Sequence, residues 1–316
     1  MATLDGTDLQ VHPLCLGGNV FGWTADAASS RAVLDAYAEA AGNFVDTANS
    51  YSSWVEGHSG GESESIIGAW MAERGNRDQM VIGTKVGGRM PDEHGLTADI
   101  VHRACENSLR RLRTDRIDVY YAHFDDPDTP LEETFGAFDA LVRDGKVRHV
   151  AISNYSPERV REVLAVVERQ GYAPIVAIQP EYNLVRRAYE RDLRPIAEEH
   201  GLACVPYYGL ARGFLTGKYR PGGPAVDSPR ASGAARHLSA PGATEALEAL
   251  DAVAAAHDVP VAAVALAWLV ARPTVVSAIA SARSPEQLAD LLPMASLQLG
   301  EDELQRLDAA GAAVRR

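Results

Sequence analysis

Four residues of the sequence, Asp46, Tyr51, Lys85 and His123, could together carry out chemistry on a carbonyl group. A phenol has an ordinary pKa of about 10, and we expect a nearby lysine ammonium to lower the pKa of Tyr51 toward the range of a useful general acid. Asp46 can keep that ammonium charged, and His123 can donate a hydrogen bond to a carbonyl oxygen. The set suits hydride addition to a C=O bond, because the resulting alkoxide must be protonated.

Other chemistries have weaker support in the residue types. The four residues contain no nucleophile–base pair for acyl transfer, and the cysteines Cys15, Cys105 and Cys204 have no metal-ligand spacing. We therefore expect no metal and three reduced, mostly buried thiols. A barrel hydrolase or isomerase that uses Asp46 and His123 with a metal remains an alternative at this point.

Short apolar runs must position these residues, and eight of them are typical of parallel strands covered on both faces. They are Leu14–Leu16, Phe44–Asp46, Met80–Lys85, Ile117–Ala122, Val147–Ser153, Ile175–Gln179, Ala203–Tyr207 and Val275–Ala280. Asp46, Lys85 and His123 lie at the carboxyl ends of the second, third and fourth runs, and Tyr51 lies just beyond the second. A residue of any of these types at such a position is more often structural, so the prediction depends on all four lying at the same end of neighbouring strands.

Amphipathic helical segments alternate with the strands, which indicates either a closed barrel or a doubly wound sheet. They are Ser29–Ala41, Glu62–Arg74, Thr97–Leu112, Leu131–Asp144 and Glu158–Arg169. Thr129, Ser156 and Ser284 precede Pro and are predicted helix N-caps.

No Gly-x-Gly-x-x-Gly fingerprint follows an early strand, and Gly213–Tyr219 fails as a phosphate loop because Tyr219 replaces the required Ser or Thr. We therefore predict an α/β fold, a (β/α)8 TIM barrel with C-terminal helices, as one domain over residues 1–316. The irregular segment Arg220–Gly242 after the seventh strand is either a cofactor-covering lid or a plain surface insertion.

The segment Gly42-Asn43-Phe44-Val45-Asp46-Thr47-Ala48-Asn49-Ser50-Tyr51 resembles the aldo-keto reductase signature G-x-F-x-D-T-A-x-x-Y. Further matches follow in order over most of the chain, from Leu14 to about Leu291. They include Gly61-Glu62-Ser63-Glu64, Thr84-Lys85, Ile117–His123, Ile152–Tyr155, Gln179–Asn183 and Gly213–Tyr219. The resemblance implies that Tyr51 is the proton donor, Lys85 and Asp46 its activating pair, and His123 the residue that orients the carbonyl.

The resemblance also implies a nicotinamide cofactor. Ser153, Asn154 and Gln179 would hold the carboxamide, and Tyr207 would stack on the nicotinamide ring. The segment from Leu210 to Lys218 would bind the pyrophosphate, through residues Leu210, Gly213, Leu215 and Lys218.

Arg283 and Gln287 correspond to the adenosine-binding positions. Arg283 precedes a capped helix, so its guanidinium and the helix N-terminus favour a 2′-phosphate and hence NADP(H). Ser281 and Leu291 depart from the residues common in the family, which leaves NAD(H) as an alternative. Tyr208 also departs from the family's usual residue and adds a phenol near the cofactor. At the position of His123, family members that reduce steroid C=C bonds carry Glu, so His123 favours carbonyl reduction.

The expected substrate is a small carbonyl compound, either an aldehyde, an aryl ketone or a sugar. Phe21, Trp23, Trp54 and Phe124 lie in loops after strands and are the candidate apolar walls. A regulatory subunit that binds NADPH but turns over slowly, like the channel-associated members of the family, is the alternative function.

The chain of 316 residues has a formal net charge of −13, which disfavours nucleic acid and anionic membranes as partners. Its N-terminus lacks the basic start and apolar run of a signal peptide, and its longest apolar stretch, Val259 to Ala271, is too short for a bilayer. We expect a cytoplasmic protein, and the sequence leaves its oligomeric state open.

Overall fold

The computed structural model describes residues 1–90, 93–220, 222–223 and 231–314. Its centre is one sheet of eight parallel strands, preceded by a short antiparallel hairpin of β1 (Ala2–Thr3) and β2 (Gln10–Val11). The eight strands are β3 (Leu14–Gly17), β4 (Phe44–Asp46), β5 (Val81–Val86), β6 (Ile117–Ala122), β7 (Val147–Ser153), β8 (Ile175–Gln179), β9 (Ala203–Cys204) and β10 (Ala278–Ala280). The strands are almost entirely buried, as their apolar composition predicts.

The strand order closes the sheet into a barrel. β10 pairs with β3, and each strand from β3 to β9 pairs with the next along the chain. The first and last members meet at a parallel bridge between Cys204 and Val275 and at a hydrogen bond from Ile279 N to Pro206 O (3.0 Å). The fold is thus the expected (β/α)8 barrel, with every strand's carboxyl end at one mouth.

Helices surround the strands and cover their outward faces. They are α1 (Ala27–Glu39), α2 (Glu62–Arg74), α3 (Ala98–Leu112), α4 (Leu131–Arg143), α5 (Pro157–Gln170), α6 (Ala188–Asp192), α7 (Arg194–His200), α8 (Ala231–Leu238), α9 (Ala243–His257), α10 (Val261–Val270), α11 (Pro285–Ala289) and α12 (Glu301–Ala313). In α3 the buried residues Val101, Ala104, Cys105, Ser108 and Leu112 recur at helical spacing, so one stripe of the helix faces the core.

The barrel interior is filled by apolar side chains, and the hairpin contributes to the filling. Leu4, Leu9 and Val11 belong to the same buried cluster as the interior residues Phe44 and Tyr121. Because this end is packed, the opposite, carboxyl end of the strands is where a ligand can enter.

The last two barrel strands are shorter than the sequence predicts. β9 ends at Cys204 rather than Tyr207, and β10 begins at Ala278 rather than Val275. Pro206 interrupts the first of these segments because it has no N–H for the ladder, and Tyr207 and Val275 form only isolated bridges.

Helix starts were predicted correctly at two of the three Pro-linked sites. Ser156 Oγ accepts a hydrogen bond from Arg159 N and Ser284 Oγ accepts one from Gln287 N, so both are N-caps. The prediction for Thr129 is wrong, because α4 is preceded by Pro130 and the Thr129 hydroxyl donates to Asp126 Oδ2 (2.7 Å).

The segment Arg220–Gly242, expected to be irregular, contains helix α8. The lid interpretation concerns mainly residues 221 and 224–230, which lie outside the described residues. All three cysteines are buried and free. Among the described helices, none alone is long and apolar enough to cross a membrane; α9 and α10 pass that test only as a pair bent by 96°.

Gly68 marks the closest contact between α2 and α3. A β-carbon at this position would lie 2.2 Å from Arg111 O and 2.5 Å from Leu112 C, which are backbone atoms. We expect Gly68→Ala to destabilise the protein by about 1–3 kcal/mol, although Ala is the better helix former, because the two helices must move apart. Urea unfolding measures the change.

Gly136→Ala in α4 is the matched control. There the new methyl group meets only the end of the Tyr172 side chain, at 3.1 Å from Oη, so the free energy of unfolding should stay the same or rise. Equal effects of the two substitutions would contradict the assignment of Gly68 to a close helix contact.

Candidate active site

The four residues expected to act on a carbonyl meet at the mouth of the barrel. Asp46 ends β4, Lys85 is the penultimate residue of β5, and His123 directly follows β6. Tyr51 lies in the loop after β4. Because β4, β5 and β6 are neighbours in the sheet, the chain brings these side chains together without a long excursion.

Lys85 is the centre of the hydrogen bonds in this group. Its Nζ donates to Asp46 Oδ2 (2.7 Å), to Thr47 O (2.7 Å) and to Tyr51 Oη (2.9 Å). Tyr51 Oη in turn donates to Asp46 Oδ2 (3.1 Å). The side chain of Lys85 is fully buried and that of Asp46 is 3% exposed, so the ion pair is almost dry.

The pKa of Tyr51 lies well above its usual value, because the phenol is buried and the Asp46 carboxylate is adjacent. The pKa of Tyr51 is therefore raised, and the lowered value expected from the sequence is wrong. Burial lowers the pKa of Lys85, while Asp46 opposes that change. The arrangement keeps the phenol protonated and ready to donate.

His123 is neutral at physiological pH, since burial and the Lys85 ammonium hold the pKa of its imidazole well below the usual value. Its Nδ1 is buried and has no hydrogen-bond partner among the described residues. An orphan N–H donor is rarer in proteins than an under-satisfied acceptor, so we infer that the proton resides on Nε2. The imidazole can therefore donate to a ligand oxygen.

A cavity of about 1250 Å³ opens beside these residues. Asp46, Tyr51 and His123 line it. So do nine of the ten expected cofactor-binding residues, which are Ser153, Asn154, Gln179, Tyr207, Leu210, Gly213, Lys218, Arg283 and Gln287. Trp23, Trp54 and Phe124 line it as well, each with a substantial exposed area.

Among the expected cofactor-binding and substrate-pocket residues, two do not line the cavity. Leu215 is fully buried in the core, and its backbone N–H donates to Leu210 O (3.2 Å). Phe21 is also fully buried, and Ser52 Oγ donates to its carbonyl (3.1 Å). The loop after β3 turns Phe21 inward, so the expectation that it walls the pocket is corrected.

Hydrogen bonds join the expected nicotinamide-binding residues to one another. Tyr207 Oη donates to Asn154 Oδ1 (2.8 Å), and Asn154 Nδ2 donates to Ser153 Oγ (3.0 Å). Ser153 Oγ donates to Gln179 O (2.8 Å), and Gln179 Nε2 donates to Asp46 Oδ1 (2.9 Å). The network fixes the cavity wall and connects it to Asp46 and Lys85.

The segment after β9 carries features that the sequence did not reveal. Tyr208, Ala211 and Arg212 have φ angles of 54°, 47° and 58°, a left-handed conformation that is strained for residues with a side chain. The Arg212 guanidinium lies 4.3 Å from the centre of the Tyr208 ring, and both residues line the cavity. Among the residues of this segment with a positive φ named here, only Gly213 is a glycine, with a φ of 95°. Glycine is the residue type that would indicate such a backbone in a sequence.

The loop after β10 is held by reciprocal hydrogen bonds. Gln287 Oε1 accepts from Arg283 N (3.1 Å), and Ser284 Oγ accepts from Gln287 N (3.4 Å). These bonds involve only the backbone of Arg283, and this residue lines the cavity. Ser281 Oγ donates to Asn19 Oδ1 (2.6 Å), an additional contact that links this loop to the one after β3.

The carboxylate at this site that could bind a metal ion, that of Asp46, is already engaged in hydrogen bonds. Both oxygens of Asp46 already accept hydrogen bonds, from Lys85 and Tyr51 on one side and Gln179 on the other. In the part of the chain that the structure describes, no three His, Cys, Asp or Glu residues cluster in a way that could hold a metal ion.

Comparison with known families accounts for this combination of barrel and site. The model of the aldo/keto reductase family matches residues 13–312. The chain therefore belongs to the aldo/keto reductase family. It is an NAD(P)H-dependent oxidoreductase.

Proteins similar to this chain carry names of different functions. An aryl-alcohol dehydrogenase of Pestalotiopsis microspora is 31% identical over 95% of this chain and 79% of its own length. An NADP(+) aryl-alcohol dehydrogenase of Phanerodontia chrysosporium is 34% identical over 66% of this chain and 58% of its own. A probable voltage-gated potassium channel subunit beta of Oryza sativa is 31% identical over 91% and 88%, respectively.

The neutral state of His123 predicts a dependence of stability on pH. In the unfolded chain a histidine titrates near 6.5, whereas the folded protein holds the pKa of His123 well below that value. As the pH falls from 7.5 to 5.5, the unfolded state gains a proton that the folded state does not, so the free energy of unfolding falls. In His123→Phe, the fall in the free energy of unfolding over this pH range should be smaller by roughly 1 kcal/mol.

Urea unfolding of both proteins at several pH values measures the difference. His102→Phe, on α3 and outside the cavity, controls for the removal of a histidine elsewhere. Parallel pH curves for the wild type and His123→Phe would show that His123 is not held neutral by the fold.

Proposed function

We propose that the protein reduces an aldehyde or ketone to the alcohol with NADPH, and that Tyr51 donates the proton. The observation that carries this proposal is the trio of Tyr51, Lys85 and Asp46, hydrogen-bonded to one another beside a cavity that His123 also lines. With a dihydronicotinamide bound, the hydride for the carbonyl carbon would come from that cofactor. Negative charge then develops on the carbonyl oxygen and must be stabilised and protonated.

The protein's own groups serve that oxygen. His123 donates a hydrogen bond from Nε2 and orients the carbonyl, while Tyr51 turns its O–H from Asp46 to the same oxygen. An alkoxide is a strong base, so the high pKa of the phenol does not prevent transfer. Lys85, 2.9 Å from Oη, stabilises the phenolate that remains, and Asp46 keeps Lys85 charged.

The cavity wall fits a nicotinamide dinucleotide. Ser153, Asn154 and Gln179 present amide and hydroxyl groups for the carboxamide, and Tyr207 offers an aromatic face for the nicotinamide ring. Along the same wall, Gly213 leaves room for close approach of a pyrophosphate. The left-handed backbone from residue 211 to residue 213 is consistent with a segment shaped around a ligand.

NADPH is preferred over NADH because of Arg283. Arg283 lines the cavity just before the start of α11, and its guanidinium can bind a 2′-phosphate there. Lys218 lines the same cavity and adds positive charge for the pyrophosphate. The name of the Phanerodontia chrysosporium relative, which includes NADP(+), supports this preference.

An aromatic carbonyl compound fits the substrate side of the cavity. The rings of Trp23 and Trp54 meet at 90° with centroids 5.6 Å apart, and Trp54 meets the ring of Tyr51 at 6.2 Å. Phe124 stacks on His123 at 4.5 Å. Exposed aromatic rings flanking the proton donor favour planar aromatic substrates, and the name of the Pestalotiopsis microspora relative supports this class.

A regulatory subunit that binds NADPH and turns over slowly is the second candidate. The similarity to a probable potassium channel subunit beta favours it. Titration of the pure protein with NADPH and NADH, followed by assays with aromatic, aliphatic and sugar carbonyls, separates the two candidates. Rapid turnover supports the reductase, whereas tight NADPH binding without turnover supports the regulatory subunit.

Removal of the proton donor should abolish most of the activity. We expect Tyr51→Phe to lower kcat for carbonyl reduction by roughly 10²–10⁴-fold, because the ring remains but the proton is lost. NADPH binding, measured by fluorescence titration, should change by less than about threefold. Tyr155→Phe, whose buried hydroxyl lies outside this hydrogen-bonded trio, is the control. A kcat near that of the wild type would disprove the role of Tyr51.

Removal of the adenosine-side arginine should affect one cofactor more than the other. We expect Arg283→Ala to weaken NADPH binding by roughly 10-fold or more, since a charged hydrogen bond to the 2′-phosphate is lost. NADH binding should change by less than threefold. Arg306→Ala, on an exposed position of α12, is the control. Equal losses for both cofactors would remove the argument for a 2′-phosphate.

A further inference from the structure

The first turn of α2 contacts the end of β4, where Asp46 lies. Ser63 is fully buried, and its Oγ accepts a hydrogen bond from Thr47 Oγ1 (2.8 Å) and donates one to Gly18 O (2.8 Å). Thr47 follows Asp46 in the chain, and its carbonyl oxygen accepts from Lys85 Nζ (2.7 Å). Ser63 therefore holds the residue that provides one of the three hydrogen-bond acceptors of the ammonium.

The next residue of the same turn contacts β5. Glu64 is fully buried, and its Oε1 accepts a hydrogen bond from Thr84 Oγ1 (2.5 Å). Thr84 precedes Lys85, so in a strand its side chain points outward to the helix while that of Lys85 points inward. Arg111 of α3 donates to Glu64 Oε2 (2.6 Å). A β-carbon at Gly61 would lie 2.4 Å from Arg111 Nε, so glycine leaves the space that this arginine occupies.

Glu64 also acts on Lys85 through its charge. Burial lowers the pKa of Lys85, whereas the carboxylates of Asp46 and then Glu64 raise it. Glu64 is thus a second negative group that supports the ammonium, from the opposite side of β5. The titratable groups that face Lys85 from the surrounding elements are Cys15, Asp46, Tyr51, Glu64, Tyr121 and His123.

We propose that Ser63 and Glu64 are positioning residues for carbonyl reduction: consecutive side chains of one helical turn that fix Asp46 and Lys85 from outside the barrel. Ser63 acts through Thr47, and Glu64 acts through Thr84 and through its charge. Neither residue lines the cavity, so neither touches the substrate or the cofactor. The kinetic part of this inference rests on the proposed function, and the electrostatic part does not.

Nuclear magnetic resonance of Lys85 tests the electrostatic part without any substrate. The chain has only three lysines, Lys85, Lys146 and Lys218, so ¹⁵N-lysine labelling gives a simple spectrum that Lys85→Met assigns. Glu64→Gln keeps the side-chain shape but removes the charge, and it should lower the measured pKa of Lys85 by roughly half a unit or more.

Asp139→Asn is the matched control for this titration. Asp139 is a buried carboxylate that pairs with Arg143 and accepts a hydrogen bond from Ala173 N, away from the cavity. Its substitution should leave the titration of Lys85 unchanged. An unchanged Lys85 titration in Glu64→Gln would overturn the electrostatic role of Glu64.

Steady-state kinetics tests the geometric part. Thr47→Val removes the hydroxyl that binds Ser63 but keeps the shape, and it should lower kcat by roughly 5–10-fold with KM and the Kd for NADPH within twofold of wild type. Thr47→Ser keeps the hydroxyl and should restore kcat. Ser63→Ala should resemble Thr47→Val, and the double variant should lose little more than either single variant.

Two further variants keep this test decisive. Ser277→Ala removes an equally buried hydroxyl, one that donates to His12 O (2.8 Å), and should leave kcat unchanged. If Glu64→Gln does not fold, Thr84→Val takes its place in the test, and we expect that variant to lower kcat. Full kcat in Thr47→Val, Ser63→Ala and Thr84→Val would overturn the positioning role. Absence of turnover in the wild type would instead reject the proposed function, while the Lys85 titration would still decide the electrostatic part.

Discussion

The buried ion pair between Lys85 and Asp46 is the interaction on which the rest of the site depends. A dry ion pair loses the hydration of both charges and persists only when further hydrogen bonds satisfy the two groups. Here the ammonium also donates to Thr47 O and Tyr51 Oη, and the carboxylate accepts from Gln179. The geometry of four elements, β4, β5, β8 and the loop after β4, is therefore fixed by the requirement to solvate one pair of charges.

The same pair bears on the acid role proposed for Tyr51. A phenol beside a carboxylate in a dry site is harder to ionise than one in water, so Tyr51 rests in its protonated form. In the proposed reaction, Lys85 would face a phenolate once the proton has left. In the proposed reaction, the raised pKa keeps the proton on Tyr51 until an alkoxide, a stronger base than the phenolate, is there to accept it.

Much of the architecture and of the site could be predicted from the sequence. Fully buried parallel strands are continuous apolar runs, and six of the eight predicted runs matched the structure to within a residue at each end. The polar residues at the carboxyl ends of those runs identified Asp46, Lys85 and His123 as candidate site residues. The ends of the last two strands were missed because Pro206 and isolated bridges leave no periodic signal.

Other errors came from properties that only three-dimensional packing determines. Whether a loop aromatic faces the core or the cavity is not encoded locally, so Phe21 and Trp23 looked alike although only Trp23 lines the cavity. The direction of the Tyr51 pKa depended on burial, which outweighed the neighbouring cation. The left-handed backbone at Tyr208 and Arg212 lacks the glycine that would have marked it.

The short strands that close the barrel have a consequence for ligand linkage. β9 and β10 contain two and three residues, so the closing side of the sheet has the fewest ladder hydrogen bonds. The segments that follow these two strands both line the cavity, through Tyr207 and Arg283 among others. A dinucleotide lying between these segments would contact both of them and hold the two closing strands together without a covalent bond. Its concentration would then set how tightly the barrel is closed, because a ligand that binds only the closed form shifts the equilibrium toward it.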